Sequence, residues 1–374
     1  ELEEAIDVLG ASVTMSTGKE SIVIRANTLA SKLDQTYALV EEILLEPRWD
    51  EKEFERIKKE TIETINRRNV NPSVVASNVY NRLLYGSRHI LSYSTLGTPE
   101  YVDEITIDDL KNYYHKNFSP SVSHIAIVGD VSEDEAKDLF SSLDEKWHAK
   151  DVKFTEYPDP PNIEKAKLYF VNVPNAKQSQ IRIGYLALPY THPDYYATNV
   201  MNYKLGGSFN GFLNLILREE KGYTYGARSR FSGTEYPGPF TAYAGVRSNV
   251  TFESMQIFKD ELTRYRRGLS DEDFAFTKSA LIQSNARRFE TLNTLRGMLD
   301  QIATYDLPFD YVKKREEIVQ EMTIEQHKAL AEKYITPDKM VYLVVGDAGS
   351  QLKPLKKLGL GDPIVLGKDG NPVQ

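Results

Sequence analysis

A chain of 374 residues is too long for one ordinary hydrophobic core and calls for two domains of roughly 200 residues each. It is 41% hydrophobic and 27% charged without low-complexity tracts, the composition of a soluble globular protein, and no apolar run is long enough to span a membrane. Its net charge of −8, spread without single-sign blocks, excludes the basic footprint of a nucleic-acid binder, and the absence of cysteine excludes disulfides and thiolate zinc sites.

Residues 1–10, ELEEAIDVLG, read as the middle and end of an amphipathic helix with Leu2, Ile6 and Leu9 on one face and no cap. The expectation is a chain that starts inside a domain. A hairpin follows, 12–17 and 21–28, turning at Gly18-Lys19. Helices are then expected over about 31–45 and from Asp50 to Arg67-Arg68, the second with the signature of a capping box.

Residues 104–132 align without a gap to 321–349, with nine of the 29 positions identical. The matches include Thr106 and Thr323 before a helix, Pro120 and Pro337 after it, and Val-Gly-Asp at 128–130 and 345–347 closing an expected buried strand. The helix from Ser270 to Arg287-Arg288 repeats the one that begins at Asp50. Each follows a helical segment, the later one over about 252–267, which itself follows a hairpin, the later one spanning 224–232 and 240–247. Two homologous αβ domains of an α+β fold are therefore expected: 1–150, a Pro-rich polar linker at 151–165, and 166–374. The second opens with strands 168–173 and 180–188 and a helix from about Asp194, none of which has a counterpart in the first. The repeat thus implies that about 50 residues are missing from the front of domain one.

Residues 205–226, LGGSFNGFLNLILREEKGYTYG, carry the candidate chemistry. Phe209, Phe212, Leu213, Leu215, Ile216 and Leu217 can fill one helical face, a charged last turn follows, and Gly222 supplies the positive φ of a helix end. Arg218 then ends a helix and Tyr225 begins a strand, both beside one turn. Such a pair can aim a guanidinium and a phenol at the same point. On residues alone the plainer roles stand first: a helix salt bridge for Arg218 and strand packing for Tyr225. The Gly-Gly pair reads as a close helix–strand approach, not a phosphate cradle.

No metal motif is present. The six histidines, His89, His115, His124, His148, His192 and His327, form neither H-E-x-x-H nor H-x-x-E-H, and each reads as a surface or packing residue. His115 and His327 are expected on exposed helix faces.

The segments LREEKGYTYGARSRFSG, VMNYKLGGSFNGFLN and PGPFTAYAGVRS resemble the second domain of the insulinase/pitrilysin family of zinc peptidases. LGASVTMSTGKESIVI, LLYGSRHILSYSTLGTPEYVDEIT and FSPSVSHIAIVGD resemble its first domain, entered part-way, so the likeness covers nearly the whole chain. It implies the insulinase/mitochondrial-processing-peptidase-like fold, in which two homologous domains make a half-clam and two halves enclose a chamber for unfolded peptides. The family's H-x-x-E-H helix would precede residue 1. Its third zinc ligand would fall where Thr64 stands, with Glu60 and Glu63 nearby. Gly211-Phe212-Leu213 departs from the family's frequent Ser-Arg-Leu, whereas Arg218 and Tyr225 keep the spacing of the pair that contacts substrate backbone.

The expectation is a non-catalytic, substrate-binding half without a metal of its own. Zinc would lie in a partner half, in tandem or as a separate subunit, with a homodimer as the other arrangement. The alternatives are an active peptidase whose motif lies upstream of Glu1, and a non-proteolytic assembly subunit. The compartment stays open, with the periplasm or cell envelope as a candidate setting.

Overall fold

The two copies of the repeat start alike. The Thr106 and Thr323 hydroxyls accept from the backbone N–H of Asp109 and Gln326, whose side chains accept in return from the threonine N–H. These boxes start the helices Ile107–Asn117 and Ile324–Tyr334, after which Pro120 and Pro337 each open a 3-10 turn. The copies part at the strand. Val341–Gly346 is a fully buried strand, whereas 123–128 carries no regular structure and Ile125 is 54% exposed. The strand expected there is not formed. A strand must satisfy its backbone groups against a neighbour, and among the described residues none pairs with this segment.

The computed structural model describes residues 1–286 and 289–373, so the expected helix end at Arg287-Arg288 lies outside the described residues. The chain forms two units. One comprises Glu1–Ile65, Ser94–Glu156 and Phe289–Asp306; the other comprises Asn66–Tyr93, Tyr157–Arg288 and Leu307–Gln374. No helix among the described residues is long and apolar enough to cross a membrane.

In the first unit the opening helix is Leu2–Val8, closed at Gly10 with φ +62°. The expected hairpin forms as β1 (Ser12–Thr17) and β2 (Ile22–Asn27), in register from Ser12 opposite Asn27 to Thr17 opposite Ile22. The helices Leu33–Leu45 and Glu133–Lys146 are joined by Glu41, which accepts from Lys146 at 2.6 Å and from Ser142 at 2.9 Å. Tyr37 meets the Phe140 ring edge-on at 5.1 Å beside them.

The second unit is built on a six-stranded sheet. Its strands are β3 (Lys167–Asn172), β4 (Gln178–Leu188), β5 (Thr224–Phe231), β6 (Gly238–Arg247), β7 (Val341–Gly346) and β8 (Ile364–Leu366), in the order β5-β6-β4-β7-β3-β8. β3 runs parallel to β7 and β8, and the other pairs are antiparallel. One face buries Phe170, Ile181, Ile183, Phe240 and Ala242 against Met255, Phe258 and Leu262 of the helix Thr251–Tyr265. On the other face the helix Pro72–Tyr85 packs on β4 and β7, burying Val75, Val79 and Leu84 with Leu343 and Val345. Chain order alone would leave that helix in the first domain; its apolar stripe carries it to the second sheet. Tyr80 Oη donates to the Phe240 carbonyl at 3.1 Å. Gly184 makes room for this contact, since a Cβ there would lie 2.5 Å from the phenol oxygen.

His327 corrects an expectation. It is fully buried, its Nε2 lies 3.2 Å from the Met201 carbonyl oxygen, and Tyr265 donates to that same oxygen at 2.5 Å. Burial pulls its pKa down to about 4. His327, Ala331 and Tyr334 recur at i, i+4 and i+7, so one stripe of the helix turns all three inward.

Candidate functional site

Residues 205–226 fold as two wide turns, not as one helix. The helix Tyr195–Asn202 runs into a π-helical turn, Tyr203–Gly207, closed by the Ser208 N–H donating to the Tyr203 carbonyl at 3.1 Å. After a break, helical geometry resumes at Phe212–Asn214 and widens again over Leu215–Glu220. Leu213 and Leu217 are fully buried as expected. Phe209, expected on the same helical face, falls in the break and stands 47% exposed.

The first turn lies directly on β5. A Cβ on Gly206 would sit 2.5 Å from the Ser229 nitrogen, so only glycine permits this approach. Gly206→Ala is therefore expected to cost about 1–3 kcal/mol of stability through forced backbone displacement, read from urea unfolding. An unchanged midpoint would show that the contact is looser than drawn.

Two buried asparagines close the outer edge of β5. Asn202 Nδ2 donates to the Ser229 carbonyl at 2.8 Å, and Asn214 Oδ1 accepts from the Ala227 N–H at 3.2 Å. Asn214 also donates to the Phe209 carbonyl at 2.8 Å and so fixes the loop that carries the phenylalanine. Two backbone groups of the edge strand are thereby satisfied internally.

The first turn has a second anchor. Lys204 Nζ lies 2.9 Å from Asp273 Oδ1 and between the rings of Phe212 and Phe276, at 5.2 and 4.8 Å. This pair ties the turn to the helix Asp271–Ala286. Burial alone would raise the Asp273 carboxyl, but the Lys204 ammonium and the Ser270 hydroxyl outweigh it and hold it below the usual carboxylate range.

Gly222, at φ +62°, ends the second turn as its position implies. Pairing of β5 with β6 then slips between Thr224 and Ala227, leaving a bulge at Tyr225-Gly226. Ala227, Ser229 and Phe231 face the core, and strict alternation would send Tyr225 inward with them. The bulge turns it out: Tyr225 is 90% exposed, and its hydroxyl has no hydrogen-bond partner among the described residues.

Arg218 stands on the last turn before Gly222 with its side chain 38% exposed. Its Nε lies 3.3 Å from the carboxylate of its neighbour Glu219, not of an i+3 or i+4 partner, and its guanidinium covers Phe209 at 4.7 Å. The fold thus brings Arg218 and Tyr225 to the two sides of one tight turn. The contacts of Arg218 are with Glu219 and Phe209.

Beyond the helix Pro72–Tyr85 the same sheet face presents residues that sequence reasoning did not single out. Arg182, Tyr243 and Arg228 lie side by side across β4, β6 and β5. The guanidiniums of Arg182 and Arg230 lie 5.1 and 5.6 Å from the Tyr243 ring, and that of Arg228 lies 5.7 Å from Phe209. The signal was the i, i+2 spacing of Arg228 and Arg230, which alternates with buried Ala227, Ser229 and Phe231.

Among the described residues no set of donors fits zinc. Thr64, on the helix Glu51–Arg68, offers a hydroxyl where the ion takes imidazole, thiolate or carboxylate, and nearby Glu60 is paired with Arg56 at 2.8 Å. Among the described residues no three or more His, Asp or Glu side chains converge on a point that could hold a metal ion.

Residues 104–281 match the family model described as the Peptidase M16 inactive domain. The chain is 24% identical over 351 residues to a Bacillus subtilis protein named uncharacterized zinc protease YmxG, covering 92% of this chain and 83% of that one. It is 19% identical to a Helicobacter pylori protein named non-peptidase homolog YmxG, over 90% of this chain and 77% of that one. Among solved structures, a peptidase M16 inactive domain from Pseudomonas fluorescens superposes with a TM-score of 0.86 at 25% identity, over 94% of this chain and 84% of that one.

Fold and likeness together describe a zinc-protease homologue of the inactive-domain kind. The likeness to the insulinase/pitrilysin zinc peptidases thus rests on a family model over residues 104–281 and on relatives along most of the chain.

Proposed function

We propose that the second unit supplies a substrate-facing surface to a peptidase whose zinc centre resides on another half, in tandem or as a separate subunit. The observation that carries this reading is Tyr225: a bulge in an otherwise core-facing strand displays a phenol, without a hydrogen-bond partner among the described residues, one turn away from Arg218. A buried structural tyrosine would find a partner for its hydroxyl; a displayed one is available to a ligand. Arg218 can donate two parallel N–H groups and Tyr225 one O–H group to the carbonyl of an unfolded peptide. Donors aimed where negative charge develops on that carbonyl would favour cleavage by a zinc-activated water in the partner half.

The test is cleavage of a quenched peptide by the chain combined with a zinc-bearing half, beside peptide binding by the chain alone. Arg218→Ala is expected to lower kcat by about 10²–10³-fold, and Tyr225→Phe by a similar order, if each is an oxyanion donor. Unfolding midpoints should stay put, because neither side chain is buried. Cleavage and peptide binding both unaffected by Arg218→Ala would overturn the reading.

A further inference from the structure

Arg182, Arg228 and Arg230 share one sheet face, and among the described residues none has a carboxylate within ion-pairing distance. Among the described residues the strip thus carries positive charge without ion pairs, although the chain as a whole carries a net −8. Arg182 is half-buried; its guanidinium donates to the Ile181 carbonyl at 3.1 Å and covers the Tyr243 ring. Burial and the neighbouring Arg230 both work against its charged form. A desolvated guanidinium without a counter-ion is costly to the fold unless something anionic arrives to pair with it. The strip joins the Arg218 site without a gap: Phe209 lies under both Arg218 and Arg228, and Tyr243 lies beside Arg228 and under Arg182 and Arg230.

We propose that this arginine–aromatic strip binds the side chains of an extended acidic peptide, so that the substrates held at Arg218 and Tyr225 are carboxylate-rich. The proposal rests on the reading of this face as peptide-facing. An extended peptide repeats the side chains of one face about every 6.5–7 Å, and Arg228 and Arg230 stand two residues apart on a strand with that same repeat. Carboxylates at alternate positions of the ligand would therefore meet successive guanidiniums, each in a bidentate pair. The aromatic rings beneath those guanidiniums help to hold them in place, which lowers the ordering cost of binding. Because Asn202 and Asn214 already occupy the edge of β5, the peptide lies over the face and does not extend the sheet. A nucleic acid calls for a broad face of clustered Lys and Arg, and three arginines in a chain of net charge −8 make a narrow strip suited to alternate carboxylates.

The experiment titrates the chain into fluorescein-labelled peptides of equal length, one with Glu at alternate positions and one with Gln in their place, and reads anisotropy at low and high salt. The acidic peptide is expected to bind about tenfold tighter at low salt, with the margin shrinking at high salt. Arg228→Gln/Arg230→Gln should remove that margin and leave the Gln peptide's affinity unchanged. Arg218→Ala should weaken both peptides alike, because its contact is with backbone. Equal affinities for the two peptides, or a preference that survives the double variant, would overturn this proposal while leaving the peptide-binding site intact. Failure of both peptides to bind would overturn that site as well. Displacement of the acidic peptide by an equimolar single-stranded oligonucleotide would reassign the strip to nucleic acid.

Discussion

Asp273→Asn is expected to destabilise the chain by about 3–5 kcal/mol, the range seen when one partner of a buried ion pair is removed. The Lys204 side chain is 10% exposed and lies between two aromatic rings, so without Asp273 its charge keeps little water and no counter-ion. Asp273 is 29% exposed by side chain, and removing the lysine instead should cost less, because the orphaned carboxylate can still reach solvent. Lys204→Met combined with Asp273→Asn should recover most of the loss. A thioether between Phe212 and Phe276 is well placed for sulfur–aromatic contact, and no charge is then left buried. Urea midpoints at constant m-value would check all three. A double variant as unstable as Asp273→Asn alone would mean that packing around the rings, not the charge, is responsible. The pair anchors the turn that bears Gly206 and leads to Phe209, so Asp273→Asn should also weaken peptide binding at Arg218.

His327 should make the chain acid-sensitive well above the carboxylate range. Its folded pKa is about 4 against an ordinary 6.5, so the unfolded chain takes up the proton first as pH falls. The stabilisation is complete above about pH 6.5, is lost progressively between about 6.5 and 4, and amounts to roughly 3 kcal/mol over that window. Asp194 and Asp273 act in the same direction but lower. Hydrogen bonds from Lys333 and Tyr334 depress Asp194, and Lys204 and Ser270 depress Asp273 against its burial, so their stabilisation fades as pH falls through and below the usual carboxylate range. Comparing urea unfolding of wild type and His327→Leu from pH 7.5 to 4 isolates the histidine. The variant should lose about one proton's worth of slope between pH 6.5 and 4; parallel curves would mean that the imidazole is not held neutral in the fold.

Local features were legible in the residues. The capping threonines, the first hairpin, the glycine ending the second turn and the Asp194-led helix all depend on neighbours a few positions away, and all appear where their spacing places them. The close approach at Gly206 was readable too, since a Gly-Gly pair between apolar segments has few other uses. The identities of Arg218 and Tyr225 stood out through their place beside one turn and through family likeness.

What only the tertiary structure decided was where long-range partners exist. Residues 123–128 carry the same punctuation as β7, yet only β7 has strands on both sides, β3 and β4, to pair its backbone. The helix Pro72–Tyr85 joins a sheet whose first strand begins more than 80 residues later, because its apolar stripe fits there. Two wide turns, held by Asn202, Asn214 and Lys204, expel Phe209 from the helix to stand under Arg218 and Arg228. A bulge fixed by pairing with β6 reverses Tyr225 from core to solvent. Sequence periodicity assigns a side chain to a face only while the element stays regular. At this site the irregularity is imposed by contacts distant in the chain, so the residue types were visible from the start and their directions were not.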